Sequence, residues 1–456
     1  MVATPGKGWI VWVALVWGLM PMLRLEAARV VAYDGVILAA AGYLVLDILV
    51  GSRFRASRGA GRRWRLTGDA RVYGWYLILI FAGLISGMNT VSLVPWGIEL
   101  ATFVYLLIML LVLDAVGSLN LERFITIGVY VFAGISIVTG VASILSLAGV
   151  HRFEMFMARQ GTGYGDKFTG FARSPNQWAS YFLSFFPFLI GISFRVKGWR
   201  RWFLVAAALL GAFTIPASGS RTGVVLLLLE GGGMVALFLV LARHISVTRR
   251  VLLVAAVAAG TMLTYALVFT TLDKFWVVRR ALSGFDYVSG EQSIGTDWRA
   301  RNWRWALQEI EKHPFIGMGL GTFHLFYDRH EVHSSYLSLW AEAGPMAVLA
   351  YIGLQISLLV HSVRALVSAW RWRLDTTLLA AVVVALLGQT VMGFTHTLTR
   401  ARNVAVTYWL VFAYSQYMLV QVQGLVAQQQ RRNAEHRAAL AAGRLGRLAE
   451  RDHRAS

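Results

Sequence analysis

Cysteine is absent from the 456 residues of this chain, and only 14% of the residues are charged. The first absence excludes disulfide bonds and thiolate chemistry. The second, together with 57% hydrophobic residues, excludes a soluble globular protein. Acidic residues are also scarce, since 23 Asp and Glu stand against 43 Lys and Arg. In a soluble protein this excess of positive charge would suggest a nucleic-acid partner. Here much of it falls in short loops and the C-terminal tail, where it sets membrane topology and meets anionic lipid, so we expect no nucleic-acid partner.

Signatures of nucleotide and metal sites are missing as well. The sequence GMGLG at residues 317–321 follows a proline rather than a strand and lacks the Lys-Ser/Thr of a phosphate-binding loop, so we interpret it as tight turns. No Asp-x-Asp pattern occurs, and His330, Glu331 and His333 are too few ligands for a metal ion. We therefore expect neither a metal nor another cofactor.

Apolar stretches long enough to cross a bilayer recur from end to end of the chain. They predict an all-α polytopic membrane protein of about twelve transmembrane helices. We expect these helices near residues 8–23, 29–51, 71–88, 96–116, 124–149, 174–194, 202–217, 222–242, 251–271, 333–361, 374–395 and 404–424. The chain then divides into transmembrane helices 1–9 (residues 1–272), a long loop with an amphipathic surface helix (273–332), transmembrane helices 10–12 (333–424) and a basic tail (425–456).

The distribution of Lys and Arg predicts the orientation of these helices. The basic cluster at residues 53–65 should be cytoplasmic. Simple alternation of the spans places four further basic segments on the same side, namely 195–201, 243–250, 364–373 and the tail from 431 to 454. Both termini then also lie on the cytoplasmic side. The long loop and three short segments (151–173, 218–221 and 396–403) fall on the opposite side. Their arginines run against the positive-inside tendency, and such cations need an anionic partner.

Two arginines lie where a helix is expected to begin on that outer side. Arg173 precedes Ser174 and Pro175, which suit the cap and first turn of a helix, so free backbone amides would attract anions there. Arg221 follows a Ser-Gly turn at the start of a descending helix, where the helix dipole also favours negative charge. The alternatives are snorkelling to the interface and pairing with a protein carboxylate.

The long loop and its exit supply further candidates. Apolar residues from Trp303 to Ile310 follow helical spacing, and this helix should end near Lys312, before a His-Pro step. It would lie on the membrane surface, apolar face down, with Arg299 free to point inward; a purely structural amphipathic helix is the alternative. Just after the loop, His333 carries an imidazole suited to removing a proton from a hydroxyl, although a lone interfacial histidine is often inert.

Four motifs follow one another between residues 170 and 345. They are GFARSPN, then SGSRTG at a span start, then D-x-R with W-x-x-A-L-x-x-I-x-x-x-P-x-x-G-x-G-x-G-x-F, then H-x-x-Y-L-x-x-x-x-E-x-G. In this order they resemble the O-antigen ligase and O-antigen polymerase superfamily. The single long outer loop late in the chain looks more like a ligase than a polymerase. Many relatives have Asn after the histidine, whereas this chain has Ser334.

The resemblance implies a glycosyltransferase C-like enzyme in the bacterial inner membrane, with its site facing the periplasm. The donor would be O-antigen polysaccharide on undecaprenyl diphosphate, and the acceptor a sugar hydroxyl of lipid A-core. His333 would be the general base of a metal-independent inverting transfer. Guanidinium groups would stabilise the diphosphate without Mg²⁺. The candidates for that role are Arg221, Arg299, Arg173, Arg279 and Arg280.

Alternative functions and placements stay open. A polymerase or a protein oligosaccharyltransferase would use the same donor. A carrier of lipid-linked glycans would instead concentrate ionisable groups near mid-membrane, and the candidates are Asp34, Asp47, Glu99, Asp114 and Glu230. A polyprenyl chain could lie against Phe182, Phe185, Phe186 and Phe188, or these rings could simply pack. A continuous helix after the loop would place Glu342 about 13 Å below His333.

Overall fold

A computed structural model describes residues 70–147, 150, 168–172, 174–241, 248, 294–327, 332–397 and 402–455. Within these ranges, side chains are described for all residues except 70, 112–120, 147, 221, 294–300, 402–406 and 436–455. The described residues form helices and turns. The predictions that concern Arg173, Arg279, Arg280 and the expected spans 8–23, 29–51 and 251–271 lie outside them.

The helices follow one another as α1 (Ala70–Ile85), a 3-10 turn (Ser86–Asn89), α2 (Leu93–Leu147), α3 (Pro175–Arg195), α4 (Trp199–Ala217), α5 (Arg221–Leu241), α6 (Ile294–Lys312), α7 (Phe323–Phe326), α8 (Ser335–Arg371), α9 (Thr377–Met392) and α10 (Arg402–Ala455). Eight stretches of the described residues are long and apolar enough to cross a membrane, and α9 is a shorter apolar helix. By position these segments correspond to the nine expected spans that fall in the described part of the chain, although the segment expected at 333–361 is not one continuous span. An α-helical polytopic membrane protein is therefore confirmed, while the total of about twelve spans stays a prediction.

The core of the bundle is built around α3. The rings of Phe182, Phe185 and Phe188 are almost completely inaccessible, and Phe186 is also buried. Phe132 of α2 stacks on Phe185 with ring centroids 4.0 Å apart. Because these four rings pack inside the protein, the idea that they line a groove for a polyprenyl chain is wrong, and their packing role is the correct interpretation.

Helix α8 is broken at Gly344, which has φ 78° and ψ 178°. Tyr336 before the break and Tyr351 after it have ring centroids only 5.6 Å apart, although a straight helix would hold these residues about 22 Å apart. The helix therefore folds back on itself. We call residues 335–343 α8a and residues 345–371 α8b. The expected continuous span from 333 to 361 is wrong, but Glu342 lies on α8a, two residues before the break, and so stays on the helical segment that begins just after His333.

The glycine-rich segment 317–321 fastens the loop to this fold-back. Met318 N–H donates to the carbonyl of Ala341 at 2.9 Å, and Gly319 N–H donates to that of Glu342 at 3.0 Å. Gly317, Gly319 and Gly321 all have positive φ, so the prediction of tight turns is confirmed. The side-chain amide of Asn89 donates to the carbonyl of Gly317 at 2.9 Å, which ties the same segment to the turn between α1 and α2.

The bundle has two distinct ends. At one, Arg195 forms ion pairs with Asp375 at 2.7 Å and with Glu122 at 3.3 Å, joining the end of α3 to α9 and α2. We call this the basic end, because residues 195–201 and 371–375 meet here, as simple alternation of spans predicts. The opposite end, where residues 315–323 and 393–396 lie, we call the loop end. That the basic end faces the cytoplasm stays a prediction.

Candidate functional site

The loop has a small hydrophobic core of its own next to the bundle. It contains buried residues of α6, of the glycine-rich segment, of α7, of the segment before α8a and of α8a itself, namely Ala306, Ile310, Met318, Phe323, Val332 and Ala341. Val332 directly precedes His333 and is 1% exposed. The candidate base is therefore attached to the packed loop on one side and to the bundle on the other.

Polar contacts also fix α6 to the chain that leads to His333. Glu309 accepts hydrogen bonds from the ammonium of Lys312 and from the hydroxyl of Tyr327. Burial alone would raise the pKa of Glu309, but these two bonds together with the electrostatic influence of Lys312 and His313 hold the pKa below its ordinary value. Burial and the neighbouring Glu309 raise the pKa of the Tyr327 hydroxyl. Trp305 stacks on Tyr327 with centroids 4.8 Å apart, so α6 and the segment after α7 form one unit.

The orientation of α6 differs in part from the prediction. The helix ends at Lys312, as expected from the following His-Pro step. Ile310 and Ala306 are buried in the loop core, whereas Trp303 and Leu307 are exposed. The packed face of α6 is thus turned toward α8a. The apolar residues expected to share one face from Trp303 to Ile310 do not all do so, because Ile310 packs in the loop core while Trp303 and Leu307 remain exposed. The backbone of Arg299 lies in α6, about 10 Å along the helix from Ala306, and its side chain is outside the description.

His333 has an uncommon backbone conformation, with φ 52°. The residues after it are held by specific hydrogen bonds. Ser334 caps α8a, since its side-chain oxygen accepts from Leu337 N–H at 3.4 Å. Ser335 N–H donates to the carbonyl of Gly393 at 2.8 Å. The hydrogen bond between Ser335 and Gly393 therefore places His333 next to the turn that follows α9.

A second histidine, which the sequence interpretation did not single out, lies at this position. The rings of His333 and His396 meet edge to face, with centroids 6.4 Å apart and an interplanar angle of 83°. His396 is 7% exposed, and its Nδ1 is 2.9 Å from the hydroxyl of Thr395. No local sequence pattern predicts this pair, because His396 lies in the turn after α9 and His333 lies just before α8a, far away in the chain.

The start of α5 comes to the same end of the bundle as these histidines. Helices α5 and α9 run antiparallel, since Gly233 lies against Val384 and Gly388 lies against Glu230. Arg221 is the first residue of α5, as predicted, and lies about 13 Å along the helix from Glu230. This distance brings the start of α5 to the level of the turn after α9. The structure describes the backbone of Arg221 but not its side chain.

Three helix N-termini with serine caps gather at the loop end. Ser174 accepts from Gln177 N–H at 3.2 Å and Pro175 occupies the first turn of α3, so the predicted cap is confirmed. Ser220 accepts from Gly223 N–H at 3.3 Å at the start of α5, and Ser334 plays this part for α8a. Helix N-termini carry partial positive charge, so the loop end is electrostatically suited to an anion.

Metal ligands do not cluster in the described part of the chain. No group of three or more His, Asp and Glu side chains lies together among those residues. His333 and His396 supply two imidazoles, fewer than a zinc site needs. His330 and Glu331 are outside the description, so independence from metal stays a prediction.

These features define an α-helical membrane protein with a packed loop, a histidine pair and capped helix N-termini gathered at one end of the bundle. Residues 206–352 match the family model described as O-antigen ligase (Wzy_C). The match covers Arg221, Arg299 and His333 but not His396. It supports the O-antigen ligase and polymerase superfamily, hence a glycosyltransferase-like enzyme of a bacterial membrane that acts on lipid-linked polysaccharide, without separating ligase from polymerase. No curated protein matches the chain.

Proposed function

We propose that this protein is an O-antigen ligase. It transfers O-antigen polysaccharide from undecaprenyl diphosphate to a sugar hydroxyl of lipid A-core at the periplasmic face of the inner membrane. The observation that best supports this proposal is that His333, beside His396 in the turn after α9, lies at the same end of the bundle as the start of α5, where Arg221 is located. The packed loop that carries Arg299 borders the same end.

In the proposed reaction the acceptor hydroxyl gives its proton to the imidazole of His333. Its oxygen attacks the anomeric carbon of the donor sugar while the bond from that carbon to the phosphate oxygen breaks. Undecaprenyl diphosphate leaves with the bonding electron pair, and the anomeric configuration inverts. Attack and departure on opposite sides of one carbon require the base and the anion-binding groups to flank a single site.

The leaving diphosphate carries at least two negative charges, so its stabilisation is the larger electrostatic problem. Guanidinium groups bind phosphate oxygens in pairs and keep their charge at any physiological pH. Arg221 and Arg299 are the first candidates for this role, with Arg173, Arg279 and Arg280 as further ones. One well-placed charge-stabilising group supplies about 10²–10³-fold in rate. A general base supplies about 10²–10⁴-fold, so we expect the arginines and His333 to matter about equally.

The test is transfer by purified protein in nanodiscs, with purified lipid-linked glycan, lipid A-core and EDTA. His333→Ala and Arg221→Ala should each reduce transfer at least about 10²-fold. His324→Ala changes another histidine of the loop region, and Arg364→Ala changes an exposed arginine of α8b. These two controls should retain wild-type activity.

Other products of the same assay would contradict the proposal. A longer lipid-linked chain would identify a polymerase, and glycan on a protein acceptor would identify an oligosaccharyltransferase. Transfer that stops when EDTA is added would overturn the metal-independent step. Retention of the anomeric configuration would exclude a single displacement.

A carrier of lipid-linked glycans is the second candidate, and one observation favours it. Glu230 lies in the middle of α5, is 2% exposed, and neither of its carboxyl oxygens has a hydrogen-bond partner among the described residues. Glu99 instead lies half-buried beside Gly321 at the loop end. Movement of donor across the bilayer without a new glycosidic bond would establish the carrier.

A further inference from the structure

His396 occupies a fixed position in the turn that follows α9. Its backbone N–H donates to the carbonyl of Met392 at 3.0 Å, and its own carbonyl accepts from the hydroxyl of Ser335 at 2.9 Å. The hydroxyl of Thr395 lies 2.9 Å from Nδ1 of the ring. A buried imidazole with contacts to both its backbone and its ring has little freedom to move.

His333 has a backbone held by its neighbours in the chain, and its ring contacts the ring of His396. Val332 anchors the preceding residue in the loop core, and Ser334 and Ser335 are held by the hydrogen bonds described above. Rotation about χ1 would still allow the ring of His333 three staggered orientations. The ring of His396, perpendicular to it at 6.4 Å, occupies space on one side and limits that choice.

We propose that His396 is a positioning residue that orients the imidazole of His333 toward the acceptor hydroxyl. The inference rests on the proposed function, because it assigns His396 a part in the same step. His396 itself takes no proton from substrate; it acts through the orientation of the base. A reacting group displaced by about 1 Å loses about 10²-fold in rate, so even a modest reorientation of His333 has a measurable effect.

Two kinds of variant separate the ring contact from the hydrogen bond at Nδ1. His396→Ala removes both, and His396→Asn removes the ring but keeps a polar group for Thr395. His396→Phe keeps a ring beside His333, and Thr395→Val removes only the hydroxyl. The matched control is His361→Ala, which deletes a half-buried imidazole that packs on Phe412 within the bundle, with centroids 5.7 Å apart.

The readout is the kcat and the donor KM of glycan transfer in nanodiscs, for variants first shown to be folded by thermal unfolding. We expect His396→Ala and His396→Asn to lower kcat about 10- to 100-fold with donor KM nearly unchanged. His396→Phe should retain more activity than either, Thr395→Val should lose less, and His361→Ala should keep wild-type kcat. In a His333→Ala background, long single-turnover incubations should show no further loss from His396→Ala, because its effect passes through His333.

The outcomes distinguish the two proposals. Wild-type protein that forms no glycosidic bond to lipid A-core would refute the proposed ligase function. Active wild-type protein with unchanged kcat in His396→Ala and His396→Asn would refute the positioning role alone. A rise in donor KM with unchanged kcat would make His396 a substrate-binding residue and would also refute it. If the alanine variant does not fold, the comparison of His396→Asn with His396→Phe decides the question.

Discussion

The backbone of Gly344 lies directly against the carbonyl group of Phe315, with no room for a Cβ atom between them. Gly344 also has φ 78°, which costs a non-glycine residue about 1–3 kcal/mol. Gly344→Ala should therefore loosen the fold-back of α8 and detach the glycine-rich segment from it. We expect a lower unfolding temperature in detergent and a loss of transfer activity, since His333 lies at the start of α8a. Thermal unfolding and the transfer assay measure the two effects.

Gly134→Ala is the matched control for this change. An added Cβ at Gly134 meets no atom within 4 Å, and the residue lies inside helix α2. Alanine favours a helix over glycine by about 0.5–1 kcal/mol, so this variant should unfold at an equal or higher temperature. Equal stability of the two variants would show that the contact between Gly344 and Phe315 does not hold the fold-back.

Local rules predicted much of this structure, and long-range contacts account for what they missed. Ser174 and Pro175 at the start of α3, the end of α6 at Lys312 and the turns at residues 317–321 all follow from neighbouring residues. The break at Gly344 depends on contact with Phe315, which comes from the loop. A Gly-Pro step inside an apolar run signals such a break, but it does not give the direction of the chain afterwards.

The residues of the candidate site also differ in whether neighbouring residues in the sequence could predict their position. The position of Arg221 at the start of α5 could be predicted from the Ser-Gly turn before it. The approach of His396 to His333 could not, because it depends on the antiparallel packing of α9 with α5 and on a hydrogen bond from Ser335 to the turn after α9. Hydropathy and motif order carry no information about such lateral contacts.

The carboxyl of Glu309 should make the stability of the loop depend on pH. Its pKa lies below the ordinary value of 4.5, because burial, which disfavours the charged form, is outweighed by the hydrogen bonds from Lys312 and Tyr327 together with the electrostatic influence of Lys312 and His313. The folded protein therefore binds this proton less readily than the unfolded chain. The resulting stabilisation is fully present above the ordinary pKa and is lost as the pH falls through the lower pKa of the folded state. Thermal unfolding from about pH 6 to about pH 3 measures the loss.

Glu309→Gln should flatten this acid dependence, because amide and carboxylate differ in charge but little in shape. Glu311→Gln is the control, since Glu311 lies exposed on the same helix, and it should follow the wild-type curve. Tyr327→Phe should give an intermediate slope through the loss of one hydrogen bond. An unchanged slope in Glu309→Gln would mean that other carboxylates govern the acid limb.

Arginines on α6 should differ sharply in their importance for catalysis. Arg299→Ala should lower kcat about 10²–10³-fold if its guanidinium stabilises the departing diphosphate. Arg304→Ala, an exposed position on the same helix, should stay within about threefold of wild type, as expected for screened charge at a distance. Arg299→Lys should recover little, because an ammonium group cannot grip two phosphate oxygens in a fixed plane. Similar losses from Arg299→Ala and Arg304→Ala would point to the general positive field of the loop instead of a specific contact.

Glu230 and Gly388 should be energetically coupled. The carboxyl of Glu230 lies against the Cα of Gly388, where any Cβ would overlap with it. Gly388→Ala should therefore lower the unfolding temperature, whereas Gly232→Ala, where an added Cβ meets no atom within 4 Å, should not. Glu230→Ala removes the overlapping group, so Gly388→Ala should cost less in that background, with a coupling of about 0.5–3 kcal/mol. Strictly additive losses would mean that the carboxyl turns away from Gly388 at little cost.

Coupling together with normal glycan transfer by Glu230→Ala would make this buried acid a packing element of α5 and α9, and would remove the observation that favours a carrier.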